Sequence, residues 1–277
     1  PDLIVGTGGY ASYPVVRFGS KRGIPTAVHE SNAVPGLTTR LLAPHCDRIM
    51  VGFEDCRQYY RHKDKVIVTG TPVRGDFFTQ TKEQAKEKLG INDGRPLVVS
   101  FWGSLGAANM NRQMAEMLYL ETVKEPFHHI HAAGSVGWQR MNEWVGQFGV
   151  DFRAHPSLDV REYIYDMADV MRAADLVLCR AGASTLSELT ALGVPAILVP
   201  SPNVTNHHQE KNAAVLEKHG AAVVLAEEGL NGKALFMTAA ELLRESGRLE
   251  AMHRASLALG VRDATERIYE TVLSIMK

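Results

Sequence analysis

Short apolar runs alternate with amphipathic stretches along the whole sequence. Each run is rich in β-branched residues and lies next to Gly or Pro, which favours buried strands over buried helices. Strands are therefore predicted at Asp2–Gly6, Ile24–His29, Arg48–Gly52, Val66–Thr69, Pro96–Phe101, Phe127–Ala132, Asp175–Cys179, Ala196–Val199 and Ala222–Leu225. Because the stretches between them have helical character, we expect an α/β protein whose strands form parallel sheets with crossover helices.

The strand pattern is interrupted once, by the turn-like segment Thr71–Gly75 and the polar stretch after it. A chain of 277 residues is long enough for about two domains. We expect two Rossmann-like, doubly wound parallel-sheet domains. The first covers residues 1–73, the second covers residues 74–259, and a C-terminal helix at 260–277 packs back on the first. In such sheets, ligands bind at the carboxyl ends of the strands.

Composition and charge exclude several classes of protein. The net charge of −1 argues against a dedicated nucleic-acid binder. No apolar stretch reaches the roughly 18–20 residues that span a bilayer. The three scattered cysteines predict neither a disulfide framework nor a zinc site, and they favour a reducing compartment. Residues 1–75 hold ten Lys and Arg against six Asp and Glu, which indicates either an anionic partner or an uneven solvated surface.

Two glycine turns lie between a predicted strand and a predicted helix. They are Gly6–Pro14 and Phe101–Ala107. Glycines let the backbone approach a ligand, and the start of a helix offers free N–H groups to a phosphate. Neither turn has the spacing of a dinucleotide fingerprint or a Walker A loop. A tight β–α turn without a ligand is the alternative interpretation of the first.

The segment Cys179–Glu188 joins an apolar strand to a helix predicted at Thr185–Leu192. Its consecutive small residues would present a row of backbone N–H groups to an anion, and Arg180 could add a charged donor. Thr185 and Glu188 have the spacing of a capping box, so residue types alone favour Glu188 as a cap of its own helix. The functional alternative is that its carboxylate accepts hydrogen bonds from the two hydroxyls of a ribose.

A polar loop, Pro202–Asn212, follows the next strand and runs into a helix. Its amides at Gln209 and Asn212 are one helical turn apart, and amides suit sugar hydroxyls because they both donate and accept. A solvated helix start is the equally weighted alternative. No H-E-x-x-H or Asp-x-Asp motif is present, so no metal site is predicted.

Several of these segments belong to an ordered set of motifs that spans essentially the whole chain. The set consists of Gly8-Gly9-Tyr10-x-Ser12-x-Pro14, His29-Glu30-x-Asn32, Gly36-Leu37-Thr38, Thr71-Pro72-Val73-Arg74, Gly103-Ser104-x-Gly106-Ala107, Tyr163-Ile164-x-Asp166-Met167, Cys179-Arg180-x-Gly182-Ala183-x-Thr185-x-Ser187-Glu188, Gln209-x-x-Asn212-Ala213 and Asp263-Ala264-Thr265. In this order the motifs resemble the MurG family of peptidoglycan N-acetylglucosaminyltransferases, glycosyltransferase family 28.

The resemblance implies a GT-B glycosyltransferase that works without a bound metal or cofactor. It would transfer N-acetylglucosamine from UDP-N-acetylglucosamine (UDP-GlcNAc) to lipid I, undecaprenyl-diphospho-MurNAc-pentapeptide, with inversion at the sugar. The product would be lipid II, for peptidoglycan synthesis, cell wall biogenesis, cell shape and cell division. The enzyme would be a peripheral protein at the cytoplasmic face of the cell membrane, in contact with its anionic surface.

The family pattern also implies a donor site, residue by residue. Asn32 and Arg74 would reach the donor from the cleft, Ser104 would lie near the phosphates, and Ile164 would hold the uracil through its backbone. Glu188 would bind the ribose, and Gln209 would contact the sugar. Arg180 is expected at the same site from its charge rather than from the family pattern. The nucleotide would be lined by Ala183, Ser184, Thr185, Leu186, Ser187 and Glu188. The catalytic base stays unassigned, with Glu30 as the candidate.

This chain departs from the family pattern at two places. Trp102 and Leu105 stand where the family has glycine and glutamine, so we expect a large ring at this turn and a weaker phosphate contact. Family members begin with about 70–90 further residues that carry a glycine-rich loop with a histidine, so we expect an N-terminally incomplete first domain. The alternatives are a non-catalytic nucleotide-sugar binding fragment, half of a split glycosyltransferase, a related GT-B glycolipid glycosyltransferase, or a UDP-sugar epimerase.

Overall fold

Two parallel sheets organise the structure, a computed structural model that describes residues 1–103, 107–124, 126–149 and 151–276. The first domain is built on a four-stranded sheet in the order β1-β2-β3-β4. Its strands are β1 (Ile4–Gly6), β2 (Thr26–Glu30), β3 (Arg48–Val51) and β4 (Val66–Val68). Each strand pairs in parallel with the next one along the chain.

The second domain is built on a six-stranded parallel sheet in the order β10-β9-β8-β5-β6-β7. Its strands are β5 (Leu97–Phe101), β6 (His128–Ala132), β7 (Leu158–Arg161), β8 (Leu176–Cys179), β9 (Ala196–Leu198) and β10 (Ala222–Val224). The strand order reverses between β5 and β8, which is where an open α/β sheet leaves a crevice for a ligand. These two sheets confirm the predicted fold class.

Helices connect the strands and cover the sheets. They are α1 (Ser12–Lys21), α2 (Leu37–Leu42), α3 (Lys82–Lys88), α4 (Ala108–Lys124), α5 (Gly134–Gly146), α6 (Met167–Ala173), α7 (Ala183–Leu192), α8 (His208–Lys218), α9 (Gly232–Arg244), α10 (Ser246–Leu259) and α11 (Ala264–Leu273). Gly19 lets α1 approach β1, because a Cβ at this position would overlap the side chain of Ile4. No helix among the described residues is long and apolar enough to cross a membrane.

The six-stranded sheet is buried on both faces. Val99 and Val177 pack into one apolar cluster, whereas Val98 and Leu178 pack into a second cluster on the opposite face. Because successive side chains of a strand alternate between faces, a strand covered on both sides must be apolar at nearly every position. This is why the continuous apolar runs of the sequence predicted these strands.

The sequence analysis missed three elements, β7, α3 and α6. β7 lies at the edge of the sheet, and its four residues alternate between buried and more accessible positions. An edge strand of this length lacks the continuous apolar run on which the other predictions rested. The seven-residue α6 follows it and is too short to show helical periodicity.

The C-terminal helix α11 lies against the first domain. Arg267 on this helix donates to the backbone oxygen of Val68 at 3.5 Å, at the end of β4. At Gly70, a Cβ would overlap Val261, which lies just before α11. Arg267 and Val261 thus contact the first domain, whereas the packing of the whole segment 260–277 and the limits of the domains stay predictions.

Candidate active site

A cavity of about 360 Å³ lies at the carboxyl ends of β5, β6 and β7, beside the first turns of α7. Its position coincides with the reversal of strand order between β5 and β8. Its walls are formed by Arg74, Phe101, Gly103, Ala132, Gly134, Glu162, Tyr163, Ile164, Tyr165, Met167, Thr185 and Glu188. Four of the residues expected at the donor site, Arg74, Ile164, Thr185 and Glu188, are therefore brought together here.

Glu188 is the carboxylate of this cavity. The capping-box interpretation is wrong, because α7 begins at Ala183 behind the N-cap Gly182, which places Glu188 in the second turn of the helix. Within the residues that the structure describes, Glu188 makes no hydrogen bond or ion pair. Burial raises the pKa of Glu188, and the positive charge of Arg74 opposes that rise. Its two oxygens are therefore available to a ligand.

Ile164 is held in the cavity wall by the loop that follows β7. Arg161, the last residue of β7, donates to the carboxylate of Asp166 at 2.7 Å. The backbone N–H of Gly134 donates to the carbonyl oxygen of Glu162 at 3.0 Å. Both contacts fix the ends of a short loop, and between them the Ile164 side chain is almost completely buried. Ile164 thereby forms part of the cavity wall.

The first turn of α7 supplies the backbone N–H groups that the sequence predicted. Ala183 and Ser184 open the helix, and such groups have no partner inside the helix. Two side chains of this segment have structural partners instead. Leu186 is buried in the apolar core, and the Ser187 hydroxyl donates to the Ala183 carbonyl oxygen at 3.0 Å. Of the predicted residues, Ser104 lies outside the described part of the chain, as does Leu105.

The structure does not bring Arg180 to this cavity. Its guanidinium pairs with the carboxylate of Glu227 at 2.7 Å and donates to the carbonyl oxygen of Val199 at 3.0 Å. The same group lies over the ring of Trp102, 5.9 Å from its centroid. The expectation of a ring at the glycine turn is also wrong, because Trp102 is buried in the second apolar cluster and Gly103 lines the cavity instead.

Glu30 has a structural environment rather than that of a free base. Its side chain is buried at the end of β2, and four donors occupy its two oxygens. The donors are the Asn32 N–H and side-chain amide, the Gly36 N–H and the Thr39 hydroxyl, at 2.7–3.1 Å. Glu30 therefore holds the loop that carries Asn32, and its lone pairs are already used.

The remaining predicted residues lie between the two domains. The side-chain oxygen of Asn32 accepts from the amide of Asn212 on α8 at 3.1 Å. Gln209 lies at the start of the same helix, and its side-chain oxygen accepts from the Ser201 N–H at 2.9 Å. The amide nitrogen of Gln209 takes no part in this bond. The loop before α8 contains two residues with positive φ, Asn206 and His207.

Sequence reasoning missed part of the cavity wall. Phe101, Gly134 and the pair Tyr163 and Tyr165 line it, with the two tyrosine rings 5.0 Å apart. Tyr165 is 88% exposed, which is unusual for an aromatic ring. The two tyrosines flank Ile164 directly, so the signal for them was their place in the same motif. Among the described residues, no group of three or more His, Cys, Asp or Glu is placed to hold a metal ion.

Comparisons with known proteins give the family of this chain. The family model of the glycosyltransferase family 28 C-terminal domain matches residues 97–268, and that of the N-terminal domain matches residues 1–51. The chain belongs to glycosyltransferase family 28. The same assignment follows independently from its curated relatives, which are similar over its full length.

Those relatives carry one function in their names. The UDP-N-acetylglucosamine–N-acetylmuramyl-(pentapeptide) pyrophosphoryl-undecaprenol N-acetylglucosamine transferase of Acetivibrio thermocellus is 44% identical over 277 residues, which is 100% of this chain and 74% of that protein. The enzyme of the same name from Halalkalibacterium halodurans is 40% identical over 278 residues, covering 100% of this chain and 75% of the relative.

Solved structures show the same fold. The crystal structure of MurG from Acinetobacter baumannii has a TM-score of 0.79 at 25% identity, covering 99% of this chain and 74% of that one. A UDP-GlcNAc 2-epimerase from Neisseria meningitidis has a TM-score of 0.66 at 16% identity, covering 99% of this chain and 76% of its own. The second likeness shows the fold alone. Its lower similarity gives the epimerase alternative no support beyond the shared architecture.

Proposed function

We propose that this chain is the UDP-GlcNAc-dependent transferase that adds N-acetylglucosamine to lipid I and forms lipid II in peptidoglycan synthesis. Curated relatives with this activity in their names are 36–44% identical over essentially the whole chain. The observation that carries the proposal is the cavity at the reversal of strand order, where the unpartnered carboxylate of Glu188 faces the same space as Ile164.

The donor would lie across this cavity with its uracil at Ile164. The backbone of Ile164 would pair with the base, and the Glu188 carboxylate would accept from both ribose hydroxyls. The diphosphate would then meet the N-terminal ends of α4 and α7, whose N–H groups and dipoles favour negative charge. The sugar would point to the cleft between the domains, where Asn32 and Gln209 lie.

Catalysis in this arrangement depends on the departure of UDP. Helix N-termini and the guanidinium of Arg74 would stabilise the negative charge that develops on the leaving diphosphate. The 4-hydroxyl of the acceptor would attack the anomeric carbon from the opposite side, which inverts its configuration, and a base would take the hydroxyl proton. Glu30 is not suited to that step because four donors already occupy its oxygens.

Titration calorimetry with UDP-GlcNAc tests the donor site. Glu188→Gln keeps the shape of the side chain but replaces one acceptor oxygen with a donor, so we expect affinity to fall about tenfold or more. Glu87→Gln, the same change at an exposed position on α3, is the matched control and should bind like the wild type. Equal binding by the two variants would refute the proposed site.

A transfer assay with a soluble lipid I analogue separates the enzyme from the binding-module alternative. Donor binding followed by formation of the disaccharide product supports the proposed reaction. Donor binding without transfer would mean that this chain is a nucleotide-sugar binding module that needs a further segment or chain. Hydrolysis or epimerisation of UDP-GlcNAc in the absence of acceptor would favour the epimerase alternative.

The first domain offers a surface for the membrane that carries the lipid acceptor. Phe18 on α1 and Leu37 and Leu41 on α2 are each at least half exposed, and α1 packs against α2. The nearby cations Arg22 and Arg40 are exposed as well. Apolar side chains surrounded by cations suit an anionic bilayer surface. We therefore place this face against the cytoplasmic leaflet.

Vesicle sedimentation tests this placement. Phe18→Ser should reduce binding to vesicles with anionic phosphatidylglycerol, because it removes a large apolar side chain from the surface. Val136→Ser on α5 removes a comparably exposed apolar residue from the other domain and serves as the control. An equal effect of both substitutions would contradict this orientation.

A further inference from the structure

Asn212 is a completely buried polar residue in the contact between the two domains. It lies on α8, one turn after Gln209, and its side chain has no exposed surface. A buried amide is costly unless its donors and acceptor find partners. The cost at Asn212 is offset by three hydrogen bonds, and two of them cross from the second domain to the first.

The three bonds have a defined direction. The side-chain oxygen of Asn212 accepts from the Ala33 N–H at 2.9 Å. Its nitrogen donates to the side-chain oxygen of Asn32 at 3.1 Å and to the carbonyl oxygen of Ala181 at 3.2 Å. Ala181 belongs to the turn that leads into α7, the helix of Glu188. One amide thus joins the loop after β2, helix α8 and the entry to the donor site.

The partner loop is prepared for this contact by Glu30. The carboxylate of Glu30 accepts from both the backbone N–H and the side-chain nitrogen of Asn32. Because the nitrogen of Asn32 is used in that bond, its oxygen is left to face Asn212. The residue at position 212 must donate to the Asn32 oxygen and accept from the Ala33 N–H. An amide does both, whereas a carboxylate can only accept.

Helix α8 touches the first domain again at its other end. Lys218 and His219 lie against the carboxylate of Asp55 at 2.7 Å and 3.2 Å. Between the two ends, Leu216 packs in one apolar cluster with Ala33 and Phe53 of the first domain. The polar contact at Asn212 is completely buried, whereas Lys218 and His219 at Asp55 are exposed, so that ion pair contributes less.

We propose that Asn212 is a positioning residue that sets the closed arrangement of the two domains and thereby aligns Asn32 with the donor cavity. Its catalytic consequence rests on the proposed function. Asn212 itself is completely buried and both of its amide hydrogens are used, so its effect acts through Asn32 and Ala181. Without its three bonds, the domains would separate and the sugar would lose its contacts on the first-domain side.

The substitution Asn212→Asp tests this directly. The introduced carboxylate keeps an acceptor for the Ala33 N–H but places a second oxygen against the oxygens of Asn32 and Ala181. When protonated, the same group can donate again, so the closed arrangement should return at low pH. Burial and the neighbouring charge of Glu30 both raise the pKa of an introduced carboxyl, which brings this recovery within an accessible range. Asn142→Asp, at an exposed position on α5, is the matched control.

The distance between the domains is the readout. Because all three native cysteines are buried, spin labels can be attached at Lys63→Cys in the first domain and Lys233→Cys in the second, both at exposed positions. Double electron–electron resonance should give one narrow distance distribution for the wild type and Asn142→Asp at about pH 8 and about pH 5.5. For Asn212→Asp we expect a broadened, longer distribution at the higher pH and the wild-type one at the lower pH.

The wild-type pH series also measures any contribution of the Asp55 and His219 pair, which is another ionisable contact between the domains. A wild-type distribution for Asn212→Asp at the higher pH would overturn the proposal, and so would a broad distribution at both pH values. If that variant does not fold, Asn32→Ala removes the contact from the accessible loop side and should broaden the distribution in the same way. A narrow distribution for Asn32→Ala would then overturn the proposal.

Binding of UDP and of UDP-GlcNAc to the same variants separates this inference from the proposed function. Asn212→Asp should bind UDP like the wild type, because Ile164 and Glu188 lie in the second domain. It should bind UDP-GlcNAc about tenfold more weakly at the higher pH, since the sugar needs the first domain. Failure of the wild type to bind either compound would refute the proposed function and leave the distance measurement to decide the role of Asn212.

Discussion

Replacement of Glu30 distinguishes a structural carboxylate from a catalytic base. Glu30→Ala leaves four donors without their acceptor in a partly buried loop. Hydrogen bonds to a charged group contribute about 1.5–3 kcal/mol each, but water can reach part of this loop, so we expect a net loss of about 3–5 kcal/mol. That is a large share of the about 5–15 kcal/mol that holds a typical domain folded. Glu30→Gln should lower the free energy of unfolding by about 2 kcal/mol, because its amide nitrogen would replace an acceptor oxygen and face donors.

Urea unfolding followed by circular dichroism measures the loss, and amide hydrogen exchange locates it. The three tryptophans all follow residue 100, so tryptophan fluorescence would report the second domain rather than the loop at Glu30. We expect faster exchange at Asn32 and Gly36 in Glu30→Ala. Glu54→Gln, at an exposed position, should change stability by less than about 0.5 kcal/mol.

A catalytic base would behave differently. Its loss would reduce kcat about 10²–10⁴-fold while the free energy of unfolding and the exchange rates stayed at wild-type values. That combination, measured for Glu30→Gln in the transfer assay, would refute the structural interpretation of Glu30.

Three further outcomes follow from the buried groups of the second domain. Glu188→Gln should unfold at a higher urea concentration than the wild type at neutral pH, because burial raises the pKa of Glu188 and the ionised form therefore opposes folding. Burial lowers the pKa of His131 to about 3, so wild-type unfolding free energy should fall as pH drops from about 6.5 towards about 3, and His131→Asn should show a shallower decline in an acid titration. Trp102→Ala should lower the free energy of unfolding in urea by about 3–4 kcal/mol, because it empties a buried site. It should change the UDP-GlcNAc affinity measured by calorimetry less than about threefold, since the ring points away from the cavity.

The buried strands and the turns that line the candidate site could be predicted because their signals are local. A strand covered on both faces needs an apolar residue at nearly every position, so its pattern is visible within five or six residues. The glycine turn before α4 and the small residues before α7 likewise mark places where a backbone can meet a phosphate. The edge strand β7 was missed because its residues are buried only at alternate positions, so it has no continuous apolar run.

The roles of individual side chains were decided by the tertiary structure. Glu188 could cap its helix or face a ligand, and the choice depended on α7 starting at Ala183 rather than at Thr185. Arg180 found its partner Glu227 on a loop that only the folded sheet brings near. The roles of Glu30 and Asn212 were likewise decided by the hydrogen bonds that they make in the folded structure.

Sequence alone thus determined the α/β architecture, the parallel sheets and the edge at which the candidate cavity lies. Those properties follow from periodicity and turn chemistry within a few neighbouring residues. Which polar groups are free and which are already paired depends on atoms far apart in the chain, such as Asn212 and Ala33. Only the folded molecule sets those distances, because a hydrogen bond requires its two atoms to approach to about 3 Å in a suitable direction.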